Sequence, residues 1–298
     1  MVGLGAILVT YSYAYDFRAD EAQVKNVLTE FVAAYRGRDL DHLSTLVYPQ
    51  SPIIFRRVKA GSSAPVDLAL MGLSAPLEYK KRHPQKQNDV AALHDMRPLS
   101  LEYFKDIFSR YPYCFLKLTV EDIIFTSESS CWVKARVFSH IHDLENDNFN
   151  IRMEPYNFVF RKQEGLWLLY GLGAEVVESE QDKYYLVIRG DKYLLENDID
   201  SAVSDFKKAI EIDPEFSVAY FELGLAYIRD KRWMEAHPEV KDFLSSMQKA
   251  VVLDPDIPLY HDFLAFGYQG KGELMQAKLE RVRIKQIDPE YPLADYNQ

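Results

Sequence analysis

Side chains that could carry out acid–base chemistry cluster in the middle of the chain. Tyr103 and Asp106 lie in a predicted helix, and His140 and His142 lie near the end of a predicted strand. Residues two apart in a strand point to the same side, so the two imidazoles share one face. An isomerase-type site needs a carboxylate base in an apolar cavity and a tyrosine or protonated acid that stabilises an oxyanion. These four residues are therefore candidates for a site in a cavity.

The histidine pair leaves three interpretations open. The pair can be a polar strand end beside a loop, which we favour, a catalytic or pH-sensitive pair, or two ligands of a metal ion. A metal would need a third ligand from elsewhere, because Asp143 points to the opposite face. Glu154 and Tyr156 share a face of the next predicted strand and are interpreted as lying at a cavity rim or an interface. The sequence has no Gly-rich phosphate loop and no HExxH, CxxC or GxSxG motif, so neither a metal nor a cofactor is predicted.

The composition indicates two ordinary globular domains and argues against a nucleic-acid partner. The chain has 298 residues, of which 48% are hydrophobic and 27% charged, and its net charge is −10. Residues 178–298 hold 15 Lys and Arg against 24 Asp and Glu, a balance of −9, which would repel a phosphate backbone. The two cysteines, Cys114 and Cys131, are expected on adjacent strands without facing each other, as small buried hydrophobes.

The first residues, MVGLGAILVTYSYAY, are apolar and uncharged. We expect residues 1–18 to be either a leader that packs on the protein or a signal peptide. A cytoplasmic location is favoured in the first case, and a secreted or periplasmic location follows if residues 1–14 are a signal peptide. No stretch of the sequence has the roughly 18 apolar residues needed to cross a membrane.

The last third of the chain repeats itself. The phrases AIEIDPE, AVVLDPD and IKQIDPE carry Pro214, Pro255 and Pro289, which are 41 and 34 residues apart. A 34-residue period with Gly, Tyr, Ala and Pro at fixed offsets resembles the tetratricopeptide repeat, a pair of helices. Residues 179–298 are therefore expected to form an all-α solenoid of three helix pairs, at about 183–216, 217–257 and 258–291. Seven extra residues in the second repeat, which include Pro238, predict a long or kinked helix that projects from the stack.

The resemblance implies a groove, lined by the first helix of each repeat, that binds a protein segment. In the best-known version of the family, Lys, Asn and Arg clamp a C-terminal carboxylate, and none of these occurs at the inner positions here. The groove should therefore accept an apolar or weakly basic segment, unless another part of the chain covers it. The inner positions are Tyr184, Val187, Asp191 and Leu194, then Val218, Phe221, Leu225 and Ile228, then Leu259, Asp262 and Phe266.

The segment before the repeats reads as helices followed by strands. Helical spacing predicts helices over Asp20–Arg36, from Leu40, with Asp39 as N-cap, and over Leu99–Arg110. Period-two alternation then predicts four strands of an antiparallel meander between residues 113 and 177, and Ile53–Phe55 reads as one further short strand. Helices first and strands afterwards indicate an α+β fold.

With AAYRGRDLDHLSTLV at its start and RKQEGLWLLYGL at its end, the segment 19–178 resembles the nuclear transport factor 2-like (SnoaL-like) superfamily, with an unusually long insert at 49–98. Members of this family form a cone of helices on a curved sheet, and some of them enclose a pocket. The six residues nominated above would then be candidates for that pocket.

Two functions follow. The favoured one is a non-enzymatic interaction or scaffold protein, in which the groove binds a protein segment and the cone supports the repeats or forms a homodimer through its sheet. The alternative is a small-ligand-binding protein or an isomerase- or cyclase-like enzyme that uses the cone pocket. Fold alone does not decide between them.

Overall fold

A computed structural model describes residues 16–48, 56–59, 101–143, 148–229 and 239–293. The leader, the strand expected at Ile53–Phe55, most of the insert and the projecting helix expected around Pro238 lie outside these residues. Some side chains within the described helices and strands are likewise outside the description. Among the described helices, none has both the length and the apolar character of a membrane span.

Two helices begin the described chain. Helix α1 runs over Arg18–Arg36 and helix α2 over Leu40–Leu46. Val24, Leu28 and Phe31 recur at helical spacing and are buried, which explains why α1 forms and which side it turns inward. The carboxylate of Asp39 accepts a hydrogen bond of 2.9 Å from the backbone N–H of His42, so the predicted N-cap is confirmed.

Four long strands form the predicted antiparallel meander. Helix α3 (Leu101–Arg110) precedes strands β2 (Tyr113–Ser127), β3 (Ser130–Asp143), β4 (Asn148–Gln163) and β5 (Leu166–Glu178). Glu164 and Gly165 both have positive φ, 52° and 84°, which is the geometry of a tight two-residue hairpin turn. A short strand that the sequence pattern did not predict, β1 (Arg56–Lys59), pairs in parallel with the end of β5. The strand order is β1-β5-β4-β3-β2.

One face of the sheet packs on the N-terminal helices and forms the core of the cone. The strand residues of this core include Cys131, Val133, Ala135, Phe158 and Phe160, which pack with the inward side of α1. Cys114 pairs with Ile141 and Cys131 with Phe125 across the ladder, so the cysteines do not face each other, as expected. We use the name cone for residues 18–178.

Six helices make the three repeats, here called the repeat domain. They are α4 (Lys183–Leu195), α5 (Ile199–Ile212), α6 (Ser217–Arg229), α7 (Glu239–Leu253), α8 (Pro258–Gly270) and α9 (Leu274–Ile287). Gly190 allows the two helices of the first repeat to approach closely, because a Cβ there would lie 2.4 Å from the ring of Phe206. The α+β cone followed by an all-α solenoid confirms the predicted fold class.

The second face of the sheet packs against the repeat domain. Tyr113, Phe115, Phe138 and Met153 on β2, β3 and β4 belong to the same buried apolar cluster as the repeat helices. Alternation along each strand separates these residues from the cone core on the other face. The cone and the repeats therefore share a continuous hydrophobic interface.

Candidate functional site

The eleven residues predicted to line a groove lie on α4, α6 and α8, and their burial divides them into two groups. Four are only half-buried: Asp191, Leu225, Ile228 and Phe266. The other seven are buried: Tyr184, Val187, Leu194, Val218, Phe221, Leu259 and Asp262. All four half-buried residues lie in the C-terminal halves of their helices: Asp191, Leu225 and Phe266 each in the ninth position, and Ile228 in the twelfth. Fewer of the predicted groove residues are therefore accessible to a partner than the sequence suggests.

A column of aromatic rings explains why part of the groove is buried. The ring of Phe221 stacks on Tyr260 with centroids 4.9 Å apart, and Tyr260 meets Phe138 of strand β3 edge-on at 5.6 Å. Phe138 in turn contacts Phe115 of β2 at 6.1 Å. The outer face of the sheet thus reaches the groove helices through Tyr260. This part of the sheet is occupied within the chain and is not free for a homodimer.

The Asp-Pro turns that end the repeats also contact the cone. The ammonium of Lys117 on β2 lies 2.9 Å from a carboxylate oxygen of Asp254 and also pairs with Asp256. The phenol of Tyr113 donates a hydrogen bond of 2.7 Å to Asp288. These aspartates end the second and third repeats, so the residues that stop the helices also fix the repeats to the sheet.

Sequence reasoning missed Lys117 and Tyr113 as contact residues. The available signal was the alternation of β2, which places Tyr113, Phe115 and Lys117 on the face away from the cone core. Two aromatic side chains and a lysine on the outward face of one strand indicate a protein interface with an aromatic centre and a charged residue at its rim.

Both acids predicted in the groove have partners inside the protein. A carboxylate oxygen of Asp262 accepts a hydrogen bond of 2.9 Å from the hydroxyl of Tyr291. Asp191 accepts a hydrogen bond from the carboxyl group of Glu222, a buried residue of α6 that the sequence did not nominate. Burial raises the pKa of both members of this pair, and the charge of Asp191 raises the pKa of Glu222 further. The pair therefore retains a proton in conditions where exposed carboxyls lose it.

The two histidines lie on the face of the sheet that meets the repeats. His140 is buried, and its ring centroid lies 5.4 Å from that of Tyr113 and 6.0 Å from that of Tyr291. Burial, helped by the neighbouring His142, lowers the pKa of His140 to about 3, so its imidazole is neutral at ordinary pH. Both histidines thus lie outside the cone interior, on the side opposite to the cavity for which they were candidates.

The remaining cone candidates do not form a described cluster. The side chains of Tyr103, Asp106 and Glu154 lie outside the description, and Tyr156 packs partly buried against the apolar cone core. Among the described residues, no group of three or more His, Cys, Asp or Glu could hold a metal ion.

A polar cluster inside the cone was also missed. One carboxylate oxygen of Asp20, in α1, accepts hydrogen bonds from Lys162 of β4 at 2.6 Å and from the indole N–H of Trp167 of β5 at 2.8 Å. Asp20 is only 3% exposed, so the lysine compensates a buried charge. The cluster joins the first helix to the last hairpin, which is a structural role.

Comparisons with known proteins agree with the repeat assignment. The family model described as TPR repeat matches residues 190–230. This match confirms the tetratricopeptide prediction over residues 190–230, and the observed helices and meander confirm the α+β fold predicted for the segment before the repeats. A comparison of the sequence with curated proteins gave no match.

Three solved structures illustrate what the two parts are similar to. A conserved protein from Planctomyces limnophilus is 16% identical, with coverage of 53% of this chain and 97% of that one and a TM-score of 0.35. A putative scytalone dehydratase from Novosphingobium aromaticivorans is 10% identical, covering 52% and 82%, with a TM-score of 0.37. The first TPR domain of human RPAP3 is 20% identical, covering 38% and 84%, with a TM-score of 0.34. At this level of similarity we transfer neither an activity nor a partner to this chain.

Proposed function

We propose that this chain is a non-enzymatic protein-interaction protein whose repeat groove binds a segment of another protein. The observation that carries the proposal is the division of the groove into a buried part and a half-buried part. Leu225, Ile228 and Phe266 offer half-buried apolar side chains in the C-terminal halves of α6 and α8, where they pack against the core cluster that contains Tyr260. Tetratricopeptide helices with such a surface suit an extended or helical peptide.

The chemistry of the groove defines the segment that fits. None of its inner positions holds Lys, Arg or Asn, so a free C-terminal carboxylate finds no clamp there. Asp191 is the one acid among the half-buried inner residues, and it shares a proton with Glu222. The preferred segment is therefore apolar, with at most one basic residue placed near Asp191.

The cone acts as a support in this proposal. It covers the turns of the second and third repeats through Lys117 and Tyr113, and it fills part of the groove through Phe138. Short solenoids expose apolar surface unless something covers it. Because the cone covers the buried part of the groove, only the half-buried part is left as a binding site.

Photo-crosslinking in cells that naturally make the protein tests the proposal. A benzophenone amino acid replaces Ile228 in the full chain, and the control carries it at Leu195, a highly exposed residue outside the groove. We expect position 228 to crosslink to one protein segment that is mainly apolar, and position 195 to give no such adduct. Leu225→Glu should remove the adduct while leaving the melting temperature within a few degrees. Equal labelling from both positions, or an adduct unaffected by Leu225→Glu, would contradict the groove as the binding surface.

A further inference from the structure

The last helix, α9, carries apolar side chains on the face that points away from the protein. Met275, Leu279 and Val282 are 68%, 55% and 48% exposed, and their spacing of four and three residues puts them on one side of the helix. Ala277 and Ile284 are buried on the opposite side. We call the three exposed residues the outer stripe. The helix is thus apolar on two faces, and only one of them is used within the described chain.

The repeat pattern does not require the outer stripe. When the three repeats are aligned on their Asp-Pro turns, the corresponding positions of the earlier repeats carry polar residues. These residues are Asp200, Ser204 and Lys207 in the first repeat, and Lys241, Ser245 and Gln248 in the second. The positions of the outer stripe are therefore occupied by polar residues in the first two repeats and by apolar residues in the last. This change is specific to the last repeat, so it needs an explanation other than the fold.

At the positions that contact a following repeat, apolar residues of the second repeat are replaced by lysines in the last repeat. Helix α5 packs on α6 and helix α7 packs on α8. Leu244 and Val251 of α7 are buried in the core shared with the next repeat, and Lys278 and Lys285 occupy the corresponding positions of α9. The ammonium of Lys285 binds the carbonyl oxygens of Pro289 and Tyr291, each at 2.8 Å. Lysines therefore occupy the positions of α9 through which a following repeat would pack. The outer stripe is thus not explained as the packing surface for a fourth repeat.

Basic residues border the outer stripe on both sides. Lys278 and Arg283 are exposed and flank it around the helix. Helix α9 has four basic residues and one acidic residue, within a region of the chain whose balance is −9. A second copy of α9 would bring the same basic borders together, which disfavours self-association through this surface.

We propose that the outer stripe docks an amphipathic helix of a partner protein whose own apolar stripe is flanked by Asp and Glu. Anchors at i, i+4 and i+7 match the spacing of a helix packed along α9, and acidic borders on the partner complement Lys278 and Arg283. A membrane surface fits less well, because the outer stripe has a single leucine and none of the Trp or Phe residues that, together with leucine, line the apolar face of helices at a lipid interface. This surface lies apart from the groove, so the two proposals stand independently.

Two designed helical peptides test the docking on the full chain. Both carry leucines at i, i+4 and i+7, and the flanking positions hold Glu in the acidic peptide and Lys in the basic one. Fluorescence anisotropy should show the acidic peptide binding at least tenfold more tightly. Leu279→Ser should weaken this binding at least tenfold, and Leu195→Ser, which removes a still more exposed leucine elsewhere, should leave it unchanged. The double reversal Lys278→Glu with Arg283→Glu should transfer the preference to the basic peptide.

Several results would overturn the proposal. Equal binding of both peptides, or binding of the acidic peptide that Leu279→Ser leaves intact, would show that the outer stripe does not select an apolar helix flanked by acidic residues. Sedimentation with phosphatidylglycerol vesicles that Leu279→Ser abolishes would assign the surface to a membrane. Self-association in analytical ultracentrifugation that the same change abolishes would assign it to a second copy. Circular dichroism of each variant ensures that a loss of binding reflects the surface and not unfolding.

Discussion

At the scale of single residues, the protein buries ionisable groups in two different ways. Asp20 is buried and accepts hydrogen bonds from the Lys162 ammonium and from the indole N–H of Trp167. Glu222 and Asp191 have no such cation within hydrogen-bonding distance in the described contacts, so they share a proton instead. The first arrangement stabilises the charged form and the second the protonated form.

We expect the Asp191–Glu222 pair to make the protein less stable as the pH rises. Its folded-state pKa values are raised, with that of Asp191 at about 7, so the folded state binds more protons than the unfolded state between about pH 4.5 and pH 7. The contribution is present below the unfolded pKa and is lost as the pH passes through the folded one. His140, whose pKa is lowered, acts in the opposite sense below about pH 6.5.

The Glu222→Gln variant separates the two effects, because the amide keeps a hydrogen-bond donor and cannot ionise. Urea denaturation at pH 5 and pH 8 should show that the variant gains stability relative to the natural protein at the higher pH, by about 1–2 kcal/mol. Glu215→Gln, at an exposed position, serves as the control and should give no such gain. An equal difference between variant and natural protein at both pH values would mean that the pair holds no shared proton.

At the scale of elements, the buried part of the groove behaves as an internal interface. Phe221 is fully buried and lies between Tyr260 and Phe263 of α8. We expect Phe221→Asp to lower the free energy of unfolding by about 2–4 kcal/mol, since it removes a large buried side chain and introduces a charge. Ile228→Asp, at a half-buried position, should cost clearly less. Chemical denaturation of both variants measures this, and a Phe221→Asp variant of natural stability would instead identify Phe221 as part of an open binding surface.

The elements themselves follow closely from the sequence. Helical spacing and the Asp39 cap predicted α1 and α2, and the alternation of apolar and polar residues predicted β2 to β5. The Asp-Pro phrases predicted the repeats. Strand β1 (Arg56–Lys59) was not predicted, because a four-residue parallel strand has too short a pattern to define its own register. The site depended on contacts between residues far apart in the chain, such as Lys117 with Asp254, and no local pattern encodes such pairs.

At the scale of the whole molecule, the connection between cone and repeats is short and anchored. Strand β5 ends at Glu178 and helix α4 begins at Lys183. Between them, Glu180 pairs with Arg189 at 2.8 Å, and Asp182 caps α4 by accepting hydrogen bonds from two backbone N–H groups. We expect the two parts to move as one rigid body.

Limited digestion with a protease specific for glutamate tests this rigidity. Cleavage after Glu178 or Glu180 should be slow, because an anchored linker does not fit readily into a protease active site. Lys117→Glu, which sets like charges against Asp254 and Asp256, should speed release of the fragment beginning at Gln181. Mass spectrometry identifies that fragment among the products. Its rapid release from the natural protein would show that the connection is a flexible tether.

The shared interface also imposes an order on biosynthesis. The ribosome completes strands β2 and β3, with the rings of Tyr113, Phe115 and Phe138, well before it makes Tyr260 and Tyr291, which cover them. More than a hundred residues separate Phe138 from Tyr260, so the aromatic face of the nascent cone is exposed and prone to aggregation while the repeats are still being translated. A chain that stopped at Glu178 would keep that face permanently. The residues that cover the aromatic face of the cone are thus among the last that the ribosome adds.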